Sequence, residues 1–170
     1  MFNTRIRFLL VLLFLGLGIV FTFRDGFSAS WYFYVAALLL FITHFVFGSV
    51  WAAFSKLRKG KLLEAEVLIN QIKKPEWLAK PNRTYYHFIK GMIALQSKEL
   101  AEGEKQLKIA LDRGLKTNND NAMAALNLAH ICYVGKRQEE AKGFILKAKT
   151  YNPDDLLIKE KLKEMEMAMR

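Results

Sequence analysis

A regular internal repeat constrains this chain more than any other feature of its sequence. A glutamate followed by a small residue recurs at one constant spacing of thirty-eight positions, as Glu64-Ala65, Glu102-Gly103 and Glu140-Ala141. A fixed period of about 20–50 residues is typical of a solenoid, whose helical units bury their apolar faces only by stacking on their neighbours. The sequence therefore predicts an all-α chain built from repeated helix pairs.

Small residues at further fixed positions indicate where the helices of each pair meet. They lie twelve residues before the second member of each Glu-small pair, at Ala53, Gly91 and Ala129. Small residues let two helices approach closely. A contact that recurs seven residues further along a helix lies on the same helical face. We predict first helices at 84–96 and 122–134, second helices at 61–73, 99–113 and 138–150, a connection at 74–83 with two prolines, and a last helix at 154–169.

The third copy of the pattern resembles a tetratricopeptide repeat. Besides Leu128, it carries Ala129, Ala141, Ala148 and Pro153 at the positions where that family has a small residue in its first helix, two alanines in its second and a proline after it. The resemblance implies repeats at about 46–79, 84–117 and 122–155, with a capping helix at 154–169, in a domain of residues 46–170. It also implies that the domain binds proteins and is not an enzyme.

Two long uncharged runs precede the repeats. The chain is 52% hydrophobic, and nearly all of the excess lies before residue 56, in residues 8–23 and 26–55. About 20 apolar residues suffice to cross a bilayer, and only helices of this length satisfy their backbone in lipid. We therefore predict a membrane anchor at 1–55 with transmembrane helices at about 6–23 and 31–55. The predicted fold class is all-α, with a transmembrane hairpin followed by a short tetratricopeptide-like α-solenoid and a C-terminal capping helix.

Basic residues predict the orientation of that hairpin. Arg5 and Arg7 precede the first run, and Lys56, Arg58 and further lysines follow the second. Positive residues favour the cytoplasmic side, so we predict an integral protein of a bacterial-type inner or plasma membrane with both termini in the cytoplasm. An alternative is a cleaved signal peptide ending near residues 28–30. The position of Ala53 further predicts one continuous helix from about 31 to 58.

No motif for catalysis, phosphate binding or metal binding occurs in the sequence. The single cysteine, Cys132, is predicted to be a buried, inert thiol. The three histidines, His44, His87 and His130, share no metal-ligand spacing, and packing of His44 against a neighbouring helix is favoured over a functional role. We expect no catalytic residue, metal, cofactor, nucleic acid or small-molecule substrate.

Two surfaces are candidate binding sites. The family pattern predicts a concave protein-binding groove on the first helices, with partial burial of each residue as the alternative, at Tyr85, Phe88, Ile89, Met92, Met123, Leu126, Asn127, His130 and Tyr133. Asn127 resembles an asparagine that some of these repeats use to hold a peptide, but Met123 and Leu126 stand where the family has lysines. A basic cluster is predicted to meet anionic membrane lipids, or alternatively to be only a topology signal and a solvated face, at Lys56, Arg58, Lys59, Lys61, Lys73 and Lys74.

These features predict a membrane-anchored adaptor or scaffold that presents a cytoplasmic groove to a protein partner. The alternative is a structural or assembly subunit of a larger membrane complex, with contacts made mainly through the first two helices.

Overall fold

The computed structural model describes residues 4–47 and 49–169, and for residues 4–8, 29 and 42–47 it describes the backbone alone. This part of the chain is all-helical, as predicted, and contains no strand. Its helices are α1 (Thr4–Asp25), α2 (Phe27–Phe47), α3 (Val50–Arg58), α4 (Leu62–Asn70), α5 (Lys80–Gln96), α6 (Leu100–Arg113), α7 (Asn118–Val134), α8 (Gln138–Thr150) and α9 (Leu156–Ala168), with a short 3-10 helix at Pro75–Trp77.

Helices α1 and α2 form an antiparallel hairpin that turns at Gly26, whose positive φ of 85° suits glycine. Near the turn, the Thr22 hydroxyl lies 2.7 Å from the hydroxyl of the fully buried Ser30 and 3.0 Å from that of Tyr34. Gly18 gives room for the Tyr34 ring, because a Cβ there would lie 3.0 Å from it. Hydrogen bonds and ring packing therefore hold the two helices together.

The predicted transmembrane hairpin is wrong. Among the described residues, no helix has the length and hydrophobicity needed to cross a bilayer. Only sixteen residues lie between Arg7 and Arg24. The second apolar run is divided between two helices, because α2 ends at Phe47 and α3 begins at Val50. The buried α3 side chains Val50 and Phe54 belong to the core of the repeat domain.

The predictions that depended on the hairpin are wrong with it. The membrane anchor, the integral location in a bacterial-type inner or plasma membrane with cytoplasmic termini, and the single helix from about 31 to 58 are not what the structure shows. The hydroxyl of Ser49, before α3, donates to the carbonyl of Leu68 at 2.7 Å and so ties the start of α3 to α4. The side chain of His44 lies outside the described residues.

The remaining helices form three pairs, α3–α4, α5–α6 and α7–α8, in a common register. The first helices end at Arg58, Gln96 and Val134, and the second helices begin at Leu62, Leu100 and Gln138, so both sets of boundaries follow the period of the sequence. Each turn has one residue with positive φ, at Gly60 (71°), Lys98 (62°) and Lys136 (59°). After it, an N–H bonds to the carbonyl five residues back, in Lys61→Lys56 (2.9 Å), Glu99→Ala94 (2.8 Å) and Arg137→Cys132 (2.8 Å). This is the Schellman pattern, and its recurrence shows that the sequence period is a period of backbone structure.

Small residues lie at the contact between the helices of each pair. The buried positions on the first helices are Ala53, Gly91 and Ala129, and those on the second helices are Ala65, Gly103 and Ala141. In the second pair the contact leaves no room for a side chain, because a Cβ on Gly91 would lie 2.7 Å from Cγ of Leu107. Helix α9 covers the end of the stack against α7 and α8, with Ile158 and Leu162 buried.

Candidate interaction groove

The first helices of the pairs lie side by side and enclose an open groove of about 660 Å³. The start of α9 and the loop before α7 complete its wall. The residues that line it are Trp51, Phe54, Leu57, Arg58, Gly60, Leu62, Tyr85, Phe88, Met92, Gln96, Lys116, Thr117, Asn119, Asp120, Met123, Asp155, Leu157 and Ile158. We call this surface the first-helix groove.

Four aromatic rings from α3 and α5 form its floor. The ring centroids of Trp51 and Tyr85 are 4.7 Å apart, those of Phe54 and Tyr85 4.9 Å, and those of Phe54 and Phe88 6.1 Å. Tyr85 and Phe88 are 1% exposed, whereas Trp51 is half-buried. Aromatic pairs at such distances add about 0.5–1.5 kcal/mol each beyond area burial. The floor is therefore a rigid, preformed surface.

Two hydrogen bonds join successive first helices at this floor. The Trp51 indole N–H donates to the Asn82 side-chain oxygen at 2.9 Å, and the Tyr85 hydroxyl donates to the Asp120 carboxylate at 2.6 Å. The two acceptors are separated by the period of the repeat, whereas the two donors are not, so equivalent positions accept from different residues of the preceding first helix. Burial, followed by the bond to Asp120, raises the pKa of Tyr85, so the hydroxyl remains a donor.

Half-buried methionines form the sides of the groove above the rings. Met92 of α5 and Met123 of α7 both line it, and the 68% exposed Leu157 lies at the far end. Methionine is unbranched and polarisable, so it adapts to ligands of different shape. The groove thus combines a fixed floor with adaptable walls.

The structure distributes the nine predicted groove residues over several environments. Four line the groove: Tyr85, Phe88, Met92 and Met123. Ile89 and Leu126 are buried and do not line it, and His130 is exposed outside it. Asn127 donates to the Met123 carbonyl of its own helix at 2.7 Å, and the Tyr133 hydroxyl contacts the Ala168 carbonyl of α9 at 3.4 Å.

Sequence reasoning misses the part of the groove that α3 contributes. Trp51 and Phe54 are three residues apart, as are Tyr85 and Phe88, so the same aromatic spacing occurs on both helices. That repeated spacing is a signal that could have found these residues. The apolar run hides it, because its hydrophobicity assigns residues 50–55 to a transmembrane helix.

The predicted basic cluster does not form one free surface. Lys56 and Lys61 both bind the Glu64 carboxylate, the latter at 3.0 Å, and hydrogen bonds from these two lysines lower the pKa of Glu64. Arg58 lines the groove, and the Lys74 ammonium lies 4.4 Å from the centre of the Trp77 ring. The remaining members, Lys59 and Lys73, are exposed.

One cluster outside the groove contains potential metal ligands. Oxygen and sulfur atoms of Glu104, Cys132 and Glu140 lie within 4.8 Å of one another. The Arg137 guanidinium binds Glu104 at 2.6 and 2.9 Å and Glu140 at 3.2 Å, and Lys108 binds Glu104 at 2.6 Å. Burial raises the pKa of Cys132, which keeps the thiol protonated. The cations already compensate the carboxylates, so the cluster is an electrostatic tie between the second and third pairs.

No protein-family model, curated protein or solved structure shows significant similarity to this chain.

Proposed function

We propose that this chain is a tetratricopeptide-like interaction module that binds a short segment of a partner protein in the first-helix groove. The observation that carries the proposal is the groove itself, about 660 Å³ with an aromatic floor built from two successive repeats. The recurring register of the three helix pairs supports the likeness to the family. Residues Ala129, Ala141, Ala148 and Pro153, on which the likeness was based, are all buried.

The shape and chemistry of the groove suit a peptide. It is open along one side and spans α3, α5 and α7, so a segment can lie across it and insert one or two large apolar side chains against the floor. Grooves of this kind bind amphipathic or extended peptides through a few apolar anchors. The exposed polar side chain of Gln96 lines the groove and can meet a peptide backbone, whereas the Asn119 side-chain oxygen already accepts the Asp154 N–H at 2.8 Å. The short groove predicts modest affinity, because few anchor side chains fit.

Phage-displayed random peptides provide a direct test. The purified full chain, in a mild detergent that covers the exposed apolar side chains of α1 and α2, is used as bait. Enriched peptides are then synthesised with a fluorophore and titrated against the wild-type chain and the variants Met92→Glu and Met123→Glu. Both variants place a charge in the wall of the groove, and we expect them to abolish binding.

Met167→Glu is the matched control. Met167 lies on α9, is 65% exposed and does not line the groove, so the same chemical change there should leave the Kd unchanged. Peptides that bind all three variants as well as the wild type would refute the proposal.

A second candidate function is that of a subunit that joins a larger protein assembly through α1 and α2. This is favoured by the exposed apolar side chains of the hairpin, among them Leu12 (64%) and Leu38 (57%). Glutamate at both positions should then release the chain from a large assembly in gel filtration of native extracts. Under the groove proposal, Met92→Glu would weaken partner binding more than the double glutamate variant of the hairpin does.

A further inference from the structure

Two cations in the wall of the first-helix groove lack acidic partners. Arg58, at the end of α3, and Lys116, in the loop before α7, both line the groove and are exposed. Within the described part of the chain, neither has a carboxylate oxygen within ion-pair distance. The Arg58 guanidinium instead lies 5.9 Å from the centre of the Phe54 ring, at the edge of the aromatic floor.

The carboxylates of the groove are already engaged by donors of the chain itself. Asp120 accepts the Tyr85 hydroxyl at 2.6 Å, and it lies in the first turn of α7. Asp155 caps α9 by accepting the Leu157 N–H at 2.9 Å. A negative charge at a helix N-terminus is compensated by the helix dipole and the free N–H groups there. Arg58 and Lys116 are therefore the charged side chains of the groove that neither hydrogen bond nor ion-pair with a group in the described part of the chain.

Both cations line the same groove as the four aromatic rings. The Arg58 guanidinium lies beside the floor, 5.9 Å from the centre of the Phe54 ring, and Lys116 belongs to the wall next to Asp120. An apolar side chain seated on the rings would thus share the groove with two cationic side chains.

We propose that the partner segment is acidic: a large apolar residue seats on the aromatic floor, and an adjacent aspartate or glutamate side chain binds Arg58 and Lys116. The proposal deepens the proposed function and rests on it. The aromatic floor supplies the contact area and the two cations supply selectivity, because charge complementarity chiefly suppresses wrong partners and speeds encounter. A basic segment of equal hydrophobicity should bind poorly, since it would place like charges together in the groove.

The peptide selection described above tests this directly. We expect the enriched peptides to carry an acidic residue beside an aromatic residue, leucine or methionine. Arg58→Gln and Lys116→Gln should each raise the Kd of such a peptide about 1.5-fold to fivefold, as for partly exposed ion pairs. The effect should shrink at high salt because screening weakens exposed charge pairs. Lys105→Gln is the control, since Lys105 is exposed on α6 and lies outside the groove.

A charge exchange completes the test. Lys116→Glu should bind the acidic peptide more weakly than wild type and should prefer a peptide whose acidic residue is replaced by lysine. If enriched peptides depend on Met92 but show no acidic preference and ignore both glutamine variants, the acidic-partner proposal is overturned and the groove proposal stands. If no enriched peptide depends on Met92 or Met123, both are overturned.

Discussion

Replacing Gly91 with alanine tests whether the three helix pairs share one geometry. Gly91 of α5 faces Leu107 of α6 at a close contact between the two helices of the second pair. An added Cβ would lie 2.7 Å from Cγ of Leu107, 2.9 Å from its Cδ2 and 3.1 Å from its backbone nitrogen. Carbon atoms pack best at about 3.5–4.0 Å. Leu107 is fully buried, so neither its side chain nor its backbone has room to move aside.

The net cost follows from two opposing effects. Overpacking a core costs about 1–3 kcal/mol. Alanine in place of glycine inside a helix returns up to about 1 kcal/mol. We expect Gly91→Ala to lower the free energy of unfolding by about 1–2 kcal/mol, and the Tm by about 2–8 °C for a chain of this size. Thermal and urea unfolding followed by circular dichroism measure both quantities.

Gly103→Ala is the control because the same change meets a softer neighbour. Its Cβ would lie 3.2 Å from side-chain atoms of Leu95 and 3.4 Å from the Gly91 carbonyl oxygen. Leu95 is only half-buried, so its side chain can shift by the few tenths of an ångström required. The higher helix propensity of alanine is then the main effect of the change, and the free energy of unfolding should stay constant or rise by up to about 1 kcal/mol.

A double-mutant cycle makes the comparison between pairs sharper. The first and third pairs place alanine opposite isoleucine, whereas the second places Gly91 opposite Leu107. Leu107→Ile should therefore recover stability in the Gly91→Ala background, with a coupling energy of about 1 kcal/mol. If Leu107→Ile costs the same in both backgrounds, the pairs do not share one geometry at this contact, and the sequence period does not imply a common packing.

Three further changes test other parts of the fold. Lys98→Gly should raise the free energy of unfolding by about 0.5–1 kcal/mol in urea denaturation, because Lys98 has a φ of 62° that glycine adopts without strain. The hydrogen bonds from Arg137 hold the pKa of Glu104 at about 2, below its usual 4.5. The contribution of the ionised carboxylate to the free energy of unfolding is therefore present above pH 4.5 and lost as the pH falls toward 2. Glu104→Gln should flatten the pH dependence of urea denaturation in this window. Asn121→Ala should cost about 2–3 kcal/mol in thermal unfolding, since the buried Asn121 amide bonds both the N–H and the carbonyl of Leu115 at 2.9 Å.

The helix boundaries were predictable where small residues recur at the thirty-eight-residue spacing. Helix α8 was expected at 138–150 and has those bounds, because Ala141 and Ala148 fix its contact face. Helix α5 was expected at 84 but begins at Lys80. Pro81 suggested a connection, yet proline is well suited to the first turn of a helix, where its missing N–H costs nothing.

Helix α3 shows why hydrophobicity alone predicts the wrong environment for residues 50–55. An apolar run has the same composition whether its side chains face lipid or a protein core. Residues 50–55 continue the run of α2, yet Val50, Ala53 and Phe54 pack against α4 and α5 and line or support the groove. The contribution of Lys116 was equally hidden, because its place in the wall depends on how the loop before α7 folds.

Helix α9 sets the length of the groove through the residues on its outer face. One repeat period after the fully buried Ala122, Ala125 and Ala129, the chain has Glu160, Lys163 and Met167, and all three are exposed. A further helix packed on that face, as α8 packs on α7, would have to bury two charged side chains, which costs several kcal/mol per ion unless each is fully paired. The stack is therefore closed at α9, while Asp155 and Leu157 at its start bound the groove. The exposed residues that end the repeat array therefore lie on the same helix as the residues that bound the groove. Together they limit the partner segment to the length of three helix pairs.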